Sequence, residues 1–250
     1  MNSLEFRKLD MSVSVPPCGS GTVSLCDSLF RFCKTFSGGK TYALIGSLGS
    51  GNCALPYILH GDCELRTDSD GGNILINGKI ADNAILTETV CYVGTKLDEI
   101  SKSFLISRVF KRRTVAELIE KGLKKSQSKY SLKDIAEIFH LSGINDPNGR
   151  IYRPIELTSG EKWLASLAIG FAGGKKIFAY PLLTDRFFIY VKVAAENGIF
   201  DFLKREDSII LVPAVYAEQT SAFADETVLM NELRQTAIDN ESKNDRRYTK

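Results

Sequence analysis

The sequence lacks both a hydrophobic run long enough to cross a bilayer and a net charge large enough to attract nucleic acid. Its densest apolar stretch, around Trp163 to Ala172, is shorter than the roughly 20 residues that a spanning helix needs. The first ten residues lack the apolar core of a secretory leader. The formal charge is only +2, so no strong pull toward polyanions is expected. We therefore expect a cytoplasmic protein that reaches a membrane only through other proteins and has no nucleic-acid partner.

The sequence also lacks the cysteine and histidine spacings of metal sites. Its six cysteines include no C-x-x-C pair, which favours free thiols in a reducing compartment. The two histidines, His60 and His140, have no cysteine or carboxylate partner at zinc-ligand spacing. No metal site is predicted.

What the sequence does contain is an alternation of short apolar runs and glycine-rich turns over its first 90 residues. This pattern predicts strands at MSVSV, TYALIG, NILING and VCYVG, which begin at Met11, Thr41, Asn73 and Val90. With 250 residues and 44% hydrophobic composition, the chain can bury one large core. We therefore predict an α/β domain.

Helices are predicted from about residue 101 to 149, where two capping boxes occur at Thr114/Glu117 and Ser131/Asp134. Helices and buried strands alternate again in the last third of the chain. We predict a single domain over residues 1–230 that carries a helical lobe at about 96–158. A polar C-terminal tail, residues 231–250, is expected to be a frayed helix or unstructured.

A glycine-rich turn follows the strand TYALI and precedes a predicted helix. Its outline is that of the phosphate loop G-x-x-x-x-G-K-[ST], in which backbone N–H groups surround phosphate at a helix N-terminus. The lysine position holds Asn52 and the Mg²⁺-binding Ser/Thr position holds Cys53. The loop residues that we predict to form a degenerate nucleotide site are Gly46, Gly49, Ser50, Gly51, Asn52 and Cys53. A tight turn without a ligand is the alternative interpretation of this loop alone.

A second segment makes the pattern specific. Residues 157–161, Leu157, Thr158, Ser159, Gly160 and Glu161, resemble the LSGGE/Q signature of ABC-transporter ATPases, and an apolar helix and strand follow them. The order of glycine loop, NILING hairpin, signature and IILV strand also resembles that family over about residues 5 to 230. The resemblance implies a phosphate-loop NTPase core with an inserted helical lobe.

The resemblance also shows which catalytic positions are altered. Pro181 stands at the family's Mg²⁺-binding aspartate and Leu182 at its catalytic glutamate. Thr95 stands at the Q-loop glutamine, and the switch histidine falls on Pro213 or Ala214. An adenine-stacking residue cannot be assigned, although Phe30 and Phe32 lie at about the right distance upstream.

Phosphoryl transfer depends on positioning and charge neutralisation by these groups, so the resemblance implies little or no hydrolysis by the chain alone. We expect weak ATP binding at most and no Mg²⁺ site in the chain's own loop. The expected partners are a second, intact ABC ATPase subunit and membrane-spanning transporter subunits. The alternative is a regulatory or scaffold protein with the same fold and no transport role.

Three finer expectations follow. The signature segment would act on ATP held by the partner, unless Thr158 and Glu161 merely form a capping box. Cys53 at a helix N-terminus would have a lowered thiol pKa and react quickly, unless it is packed and inert. As the resemblance implies, residues after Thr95, including Phe104 and Phe110, would dock a membrane subunit, unless they form a helix of the core.

Overall fold

The computed structural model describes residues 1–15, 24–61, 72–94, 113–155 and 158–236. Nine strands occur in these ranges: Ser3–Val15 (β1), Leu25–Ser37 (β2), Lys40–Ile45 (β3), Asn73–Ile76 (β4), Lys79–Ile80 (β5), Val90–Tyr92 (β6), Ile177–Ala179 (β7), Ile209–Ala214 (β8) and Glu226–Leu229 (β9). The α-helices in the same ranges are Ala54–Leu59 (α1), Asn83–Thr89 (α2), Val115–Ser126 (α3), Leu132–Ile138 (α4), Lys162–Ala172 (α5), Asp185–Glu196 (α6) and Ile199–Arg205 (α7). Residues 230–236 are also helical.

The strands form two sheets. The order β2-β1-β4-β5 makes an antiparallel sheet, in which β1 and β2 pair along most of their 13 residues. The order β6-β7-β8-β3-β9 makes a sheet in which every neighbouring pair is parallel. Parallel pairs need long crossover connections, and the helices predicted between the apolar runs supply them.

The parallel sheet is covered on both faces because its buried strands alternate between two cores. In β8, Ile209 and Leu211 join a core with α1 and the antiparallel sheet, whereas Ile210 and Val212 join a core with α3, α5, α6 and α7. Strand β7 divides in the same way, with Ile177 on one side and Phe178 on the other. The period of two in side-chain direction therefore explains why both strands are continuously apolar in sequence.

Both predicted capping boxes form. The Thr114 hydroxyl accepts the Glu117 N–H at 3.2 Å, and the Glu117 carboxylate accepts the Thr114 N–H at 2.8 Å. Ser131 and Asp134 bond in the same reciprocal way at the start of α4. These two helices begin where the local sequence predicts.

In the described ranges, no helix is long and apolar enough to span a bilayer. The longest apolar helix, α5, has 11 residues, and its buried side chains pack inside the domain. Its hydrophobicity is therefore accounted for by the core.

Candidate functional site

The carboxyl ends of the parallel strands meet at one edge of the sheet, which is where ligands bind in α/β proteins. The glycine loop follows β3, Pro181 lies just after β7, and Ala214 is the last residue of β8. The N–H of Gly46 donates to the carbonyl of Ala214 at 3.2 Å. The topology therefore brings the loop into contact with Ala214, one of the two positions at which the resemblance places the switch histidine.

A carboxylate from β2 occupies the inside of the glycine loop. Oδ1 of Asp27 accepts the N–H of Gly51 at 2.8 Å, and Oδ2 accepts the N–H groups of Cys53 at 2.9 Å and Ala54 at 2.8 Å. Oδ1 also accepts the N–H of Ser28 at 2.9 Å. Asp27 is only 4% exposed, so its two oxygens hold the inner N–H groups of the loop and of the first turn of α1.

The Asn52 side chain points into the protein. It is fully buried, and its Nδ2 donates to the carbonyl of Gly46 at 2.7 Å and to that of Ala214 at 3.4 Å. These two carbonyls belong to the ends of neighbouring strands. Asn52 therefore ties β3 to β8 and presents no cation to the loop.

Cys53 corrects one expectation. Its side chain is 2% exposed, and its thiol donates to Oδ1 of Asn52 at 3.4 Å. Burial raises the pKa of the Cys53 thiol to about 12, and the nearby negative charge of Asp27 acts in the same direction. The prediction of a lowered pKa was wrong because the loop N–H groups that would stabilise a thiolate already bind Asp27.

The remaining altered positions also lie in the core. The N–H of Tyr180 donates to the carbonyl of Leu211 at 2.9 Å, so by alternation Pro181 is turned away from β8 and its missing N–H removes no bond to that strand. Pro181 is buried, and Leu182 packs against the core that contains α1. Neither side chain contains an oxygen atom that could bind a cation.

Pro213 and Ala214 lie inside β8 as its last two residues. Leu211 faces β7, so alternation along β8 turns Pro213 toward β7 as well. The next ladder bond would run from the N–H of residue 213 to the carbonyl of Tyr180, so the missing N–H of Pro213 ends the ladder between β7 and β8. Neither residue can replace a switch histidine chemically.

Thr95, the Q-loop position, lies outside the described residues, as do Phe104 and Phe110 of the predicted docking surface. The preceding residue, Gly94, is described. Its N–H donates to Oγ of Ser166 at 2.9 Å, and its backbone has a φ of 81°. A Cβ on Gly94 would overlap the ring of Trp163, so only glycine fits between β6 and α5.

The signature segment leads into α5, and Leu157 and the side chain of Ser159 lie outside the described part. The Thr158 hydroxyl is buried and donates to the carbonyl of Ile155 at 2.6 Å. The Glu161 carboxylate accepts the N–H of Ser142 at 2.5 Å and its hydroxyl at 3.0 Å. The alternative capping box between Thr158 and Glu161 is therefore not formed.

Gly160 is covered by an aromatic ring that sequence reasoning missed. A Cβ on Gly160 would overlap the hydroxyl and ring of Tyr190 on α6. The Tyr190 ring also stacks on Trp163, with centroids 6.3 Å apart and an interplanar angle of 18°. The glycine of the signature is therefore required by packing within this chain.

The start of the C-terminal tail contacts the glycine loop. Arg234 donates from Nη1 to the carbonyl of Gly49, and the Ser47 hydroxyl donates to Oδ1 of Asn231 at 3.3 Å. Met230 is 1% exposed and lies beside Gly46 and Gly51. Residues at the start of this tail thus pack against the glycine loop.

These residues do not fit a Mg²⁺–nucleotide complex in the manner of a phosphate loop. The inner N–H groups that would bind phosphate already bind a carboxylate. The two positions that would bind Mg²⁺ hold a buried thiol and a proline, whereas Mg²⁺ requires oxygen ligands. The arrangement holds the loop closed on the protein itself.

Comparisons with known proteins agree with the fold. No protein-family model matches the chain. The energy-coupling factor transporter ATP-binding protein EcfA1 of Thermotoga maritima is 29% identical over 133 residues, which are 53% of this chain and 46% of that protein. The match therefore spans less than half the length of this relative.

Two solved structures resemble nearly the whole chain. A putative ABC transporter ATP-binding protein from Pyrococcus furiosus superimposes with a TM-score of 0.54 at 16% identity, covering 92% of this chain and 98% of that one. The cbiO1 protein of Clostridium perfringens, part of the ABC transporter complex cbiONQ, gives 0.54 at 14% identity, covering 91% and 85%. The predicted resemblance to ABC-transporter ATP-binding domains is confirmed, and the chain has their α/β fold.

Proposed function

We propose that this chain is a non-hydrolysing ATP-binding-type subunit of an ABC transporter that pairs with a second, catalytically intact ABC ATPase subunit. Membrane-spanning subunits would hold the pair at the cytoplasmic face of the membrane. The chain's own loop would bind ATP weakly at most and would hold no Mg²⁺. The names of two similar proteins, EcfA1 and cbiO1, associate them with transporter complexes.

One observation supports this proposal above the others. At the carboxyl edge of an ABC-type sheet, the side chains at the lysine and Mg²⁺ positions are turned into the core, as Asn52, Cys53 and Pro181 are. Lysine, metal and a water-orienting carboxylate work as one unit in phosphoryl transfer. A chain that keeps the fold and replaces all of these groups supports a role in assembly or in a partner's reaction.

In such a pair, the signature segment of this chain would face ATP bound to the partner. Backbone N–H groups at the start of α5 and the positive end of the helix are the features that would stabilise the γ-phosphate. The composite site that contains the partner's phosphate loop would hydrolyse ATP. The other composite site, which contains Asn52 and Cys53 of this chain, would not. The resulting complex would be asymmetric.

A second function, a regulatory or scaffold protein without transport, is favoured by a different observation. Thr158 and Glu161 bond within the helical lobe, and Tyr190 covers Gly160. These contacts would have to open before the segment could reach a partner's phosphate. A scaffold needs no such opening.

Purification from membranes separates the two functions. The tagged chain would be isolated from detergent-solubilised membranes of its host, and its partners would be identified by mass spectrometry. The transporter proposal expects a polytopic membrane protein together with an ATPase whose phosphate loop retains lysine. Recovery of soluble proteins alone would support the scaffold.

Phosphate release by the reconstituted complex tests the signature role. Gly160→Asp combined with Tyr190→Ala would place a carboxylate toward the partner's phosphate without the clash with the Tyr190 ring, and it should lower turnover at least about 100-fold, as the loss of one charge-stabilising contact does. The control is Gly160→Ala combined with Tyr190→Ala, which makes room for the new side chain and adds no charge. Equal activity of the Asp variant and the native complex would exclude a role of the signature in the reaction.

A further inference from the structure

We infer that the Asp27 carboxylate takes the place of a bound phosphate in the glycine loop. It accepts the loop N–H groups that a nucleotide phosphate would otherwise bind, and it thereby prevents nucleotide from binding there. This inference concerns the loop alone. It holds or fails whether or not the chain is a transporter subunit.

The bonding pattern of Asp27 is that of a bound anion. Each of its two oxygens accepts two backbone N–H groups, at 2.8 to 2.9 Å. Three of these four donors belong to the loop and the first turn of α1, namely Gly51, Cys53 and Ala54. Helix-terminal N–H groups without an intrahelical partner need such an acceptor, and a charged acceptor binds them more strongly than a neutral one.

The segment of β2 that carries Asp27 packs directly against the loop at Gly51. A Cβ on Gly51 would come within 2.6 Å of the Leu29 side chain and 3.0 Å of the Ser28 carbonyl. Gly51 also has a φ of 95°, which favours glycine. The loop is therefore shaped to receive the segment from Asp27 to Leu29.

The C-terminal residues also pack against the loop. Arg234 donates to the Gly49 carbonyl, and Met230 packs beside Gly46. A polyphosphate that approached the inner N–H groups would have to displace a buried carboxylate of the same charge sign. The N–H groups of Gly51, Cys53 and Ala54 and the Gly49 carbonyl are therefore bonded by atoms of the chain itself.

Amide hydrogen exchange and NMR titration of the full-length chain test this inference. Without ligand, the amides of Gly51, Cys53 and Ala54 should be protected from exchange. Addition of Mg²⁺–ATP, or separately of inorganic phosphate, should leave their resonances and exchange rates unchanged. Saturable shifts at these amides in the native chain, or rapid exchange in the absence of ligand, would overturn the inference.

A matched pair of variants provides a second measurement. Asp27→Asn keeps the shape but presents an amide group to N–H donors, so exchange at Cys53 and Ala54 should accelerate about 10- to 100-fold. Asp10→Asn is the control, because Asp10, on the same hairpin, accepts the N–H of Arg31 at 2.7 Å and is exposed. Unchanged exchange in Asp27→Asn would contradict the inference; if this variant does not fold, the titration of the native chain decides alone.

Discussion

The glycine loop and the signature segment both keep the outline of an ABC ATPase, but they are held by different kinds of contact. The loop N–H groups bind a carboxylate 24 to 27 residues earlier in the chain, on another sheet. In the signature segment, Thr158 bonds three residues back and Glu161 bonds to Ser142 within the same lobe. The loop thus depends on the tertiary arrangement of two sheets, whereas the signature depends mainly on its own lobe and on one neighbouring helix.

The largest expected effect comes from removing the loop's anion. Asp27→Ala leaves three buried N–H groups of the loop and α1 without an acceptor, so the free energy of unfolding should fall by about 3 kcal/mol or more. Asp10→Ala, which removes an exposed carboxylate, should cost about 1 kcal/mol or less. Urea denaturation of the three proteins measures both values, and equal losses would mean that the loop does not depend on Asp27.

A smaller loss of stability is expected in the signature segment. Gly160→Ala drives a Cβ into Tyr190 and should cost about 1 to 3 kcal/mol. Tyr190→Ala removes the obstructing ring and should make the Gly160→Ala substitution nearly neutral in the double variant. Thermal denaturation of the native protein, the two single variants and the double variant gives the coupling free energy between the two positions. Additive losses of stability would show that the Tyr190 ring does not exclude a side chain at position 160.

The reactivity of the Cys53 thiol tests whether the glycine loop stays closed, and it needs no substitution. Burial raises the pKa of the Cys53 thiol to about 12, so at neutral pH its thiolate fraction is about 1000-fold below that of an ordinary thiol. The exposed Cys26 and Cys33 should therefore react with iodoacetamide far sooner under native conditions. Peptide mapping after brief treatment checks this order, and early labelling of Cys53 would mean that the loop opens.

The smallest effect concerns an ion pair that holds β2 against β9. Oε1 of Glu226 lies 2.7 Å from Nζ of Lys34, and this bond, with help from Lys40, lowers the pKa of the Glu226 carboxyl. A lowered pKa gives stability that is present above the ordinary glutamate range and is lost as the pH falls through the folded value.

Glu226→Gln should therefore cost about 0.5 kcal/mol at neutral pH, because the pair is partly exposed, and nothing in strong acid. Melting curves over pH 3 to 7, roughly spanning the glutamate range, would show the difference narrowing on the acid side. A constant difference across this range would contradict the assignment to charge. The control is Lys133→Gln, which removes an ion pair on an exposed surface, where Nζ of Lys133 lies 3.8 Å from Oε1 of Glu137.

Sequence reasoning predicted much of this architecture because its signals are local. The capping boxes at Thr114 and Ser131 need only residues three positions apart. The continuously apolar β8 required two covered faces, and the glycine loop followed β3 as its motif requires. The order of these elements was sufficient for the ABC resemblance.

Asp27 was missed because no spacing rule connects it to the loop. One signal was present: Asp27 lies on the buried face of β2 together with Leu29, and a charged residue on an apolar face requires a partner. The sequence does not tell which partner that is. Tyr190 and Arg234 were missed for the same reason, since their contacts join distant elements.

The amino-acid sequence by itself predicted strands in the regions of β1, β3, β4 and β6 and the two capped helices, because hydrophobic periodicity and motif spacing are properties of neighbouring residues; it missed strand β2, and its altered catalytic positions stay a prediction. Only the tertiary structure decided which groups the glycine loop binds. It placed the β2 carboxylate inside the loop, turned Asn52 toward two strand ends and surrounded Cys53 with apolar groups and a negative charge. A helix N-terminus lowers the pKa of a nearby thiol only if its N–H groups are not already bonded to another acceptor. The packing of the two sheets determines which acceptor they bond.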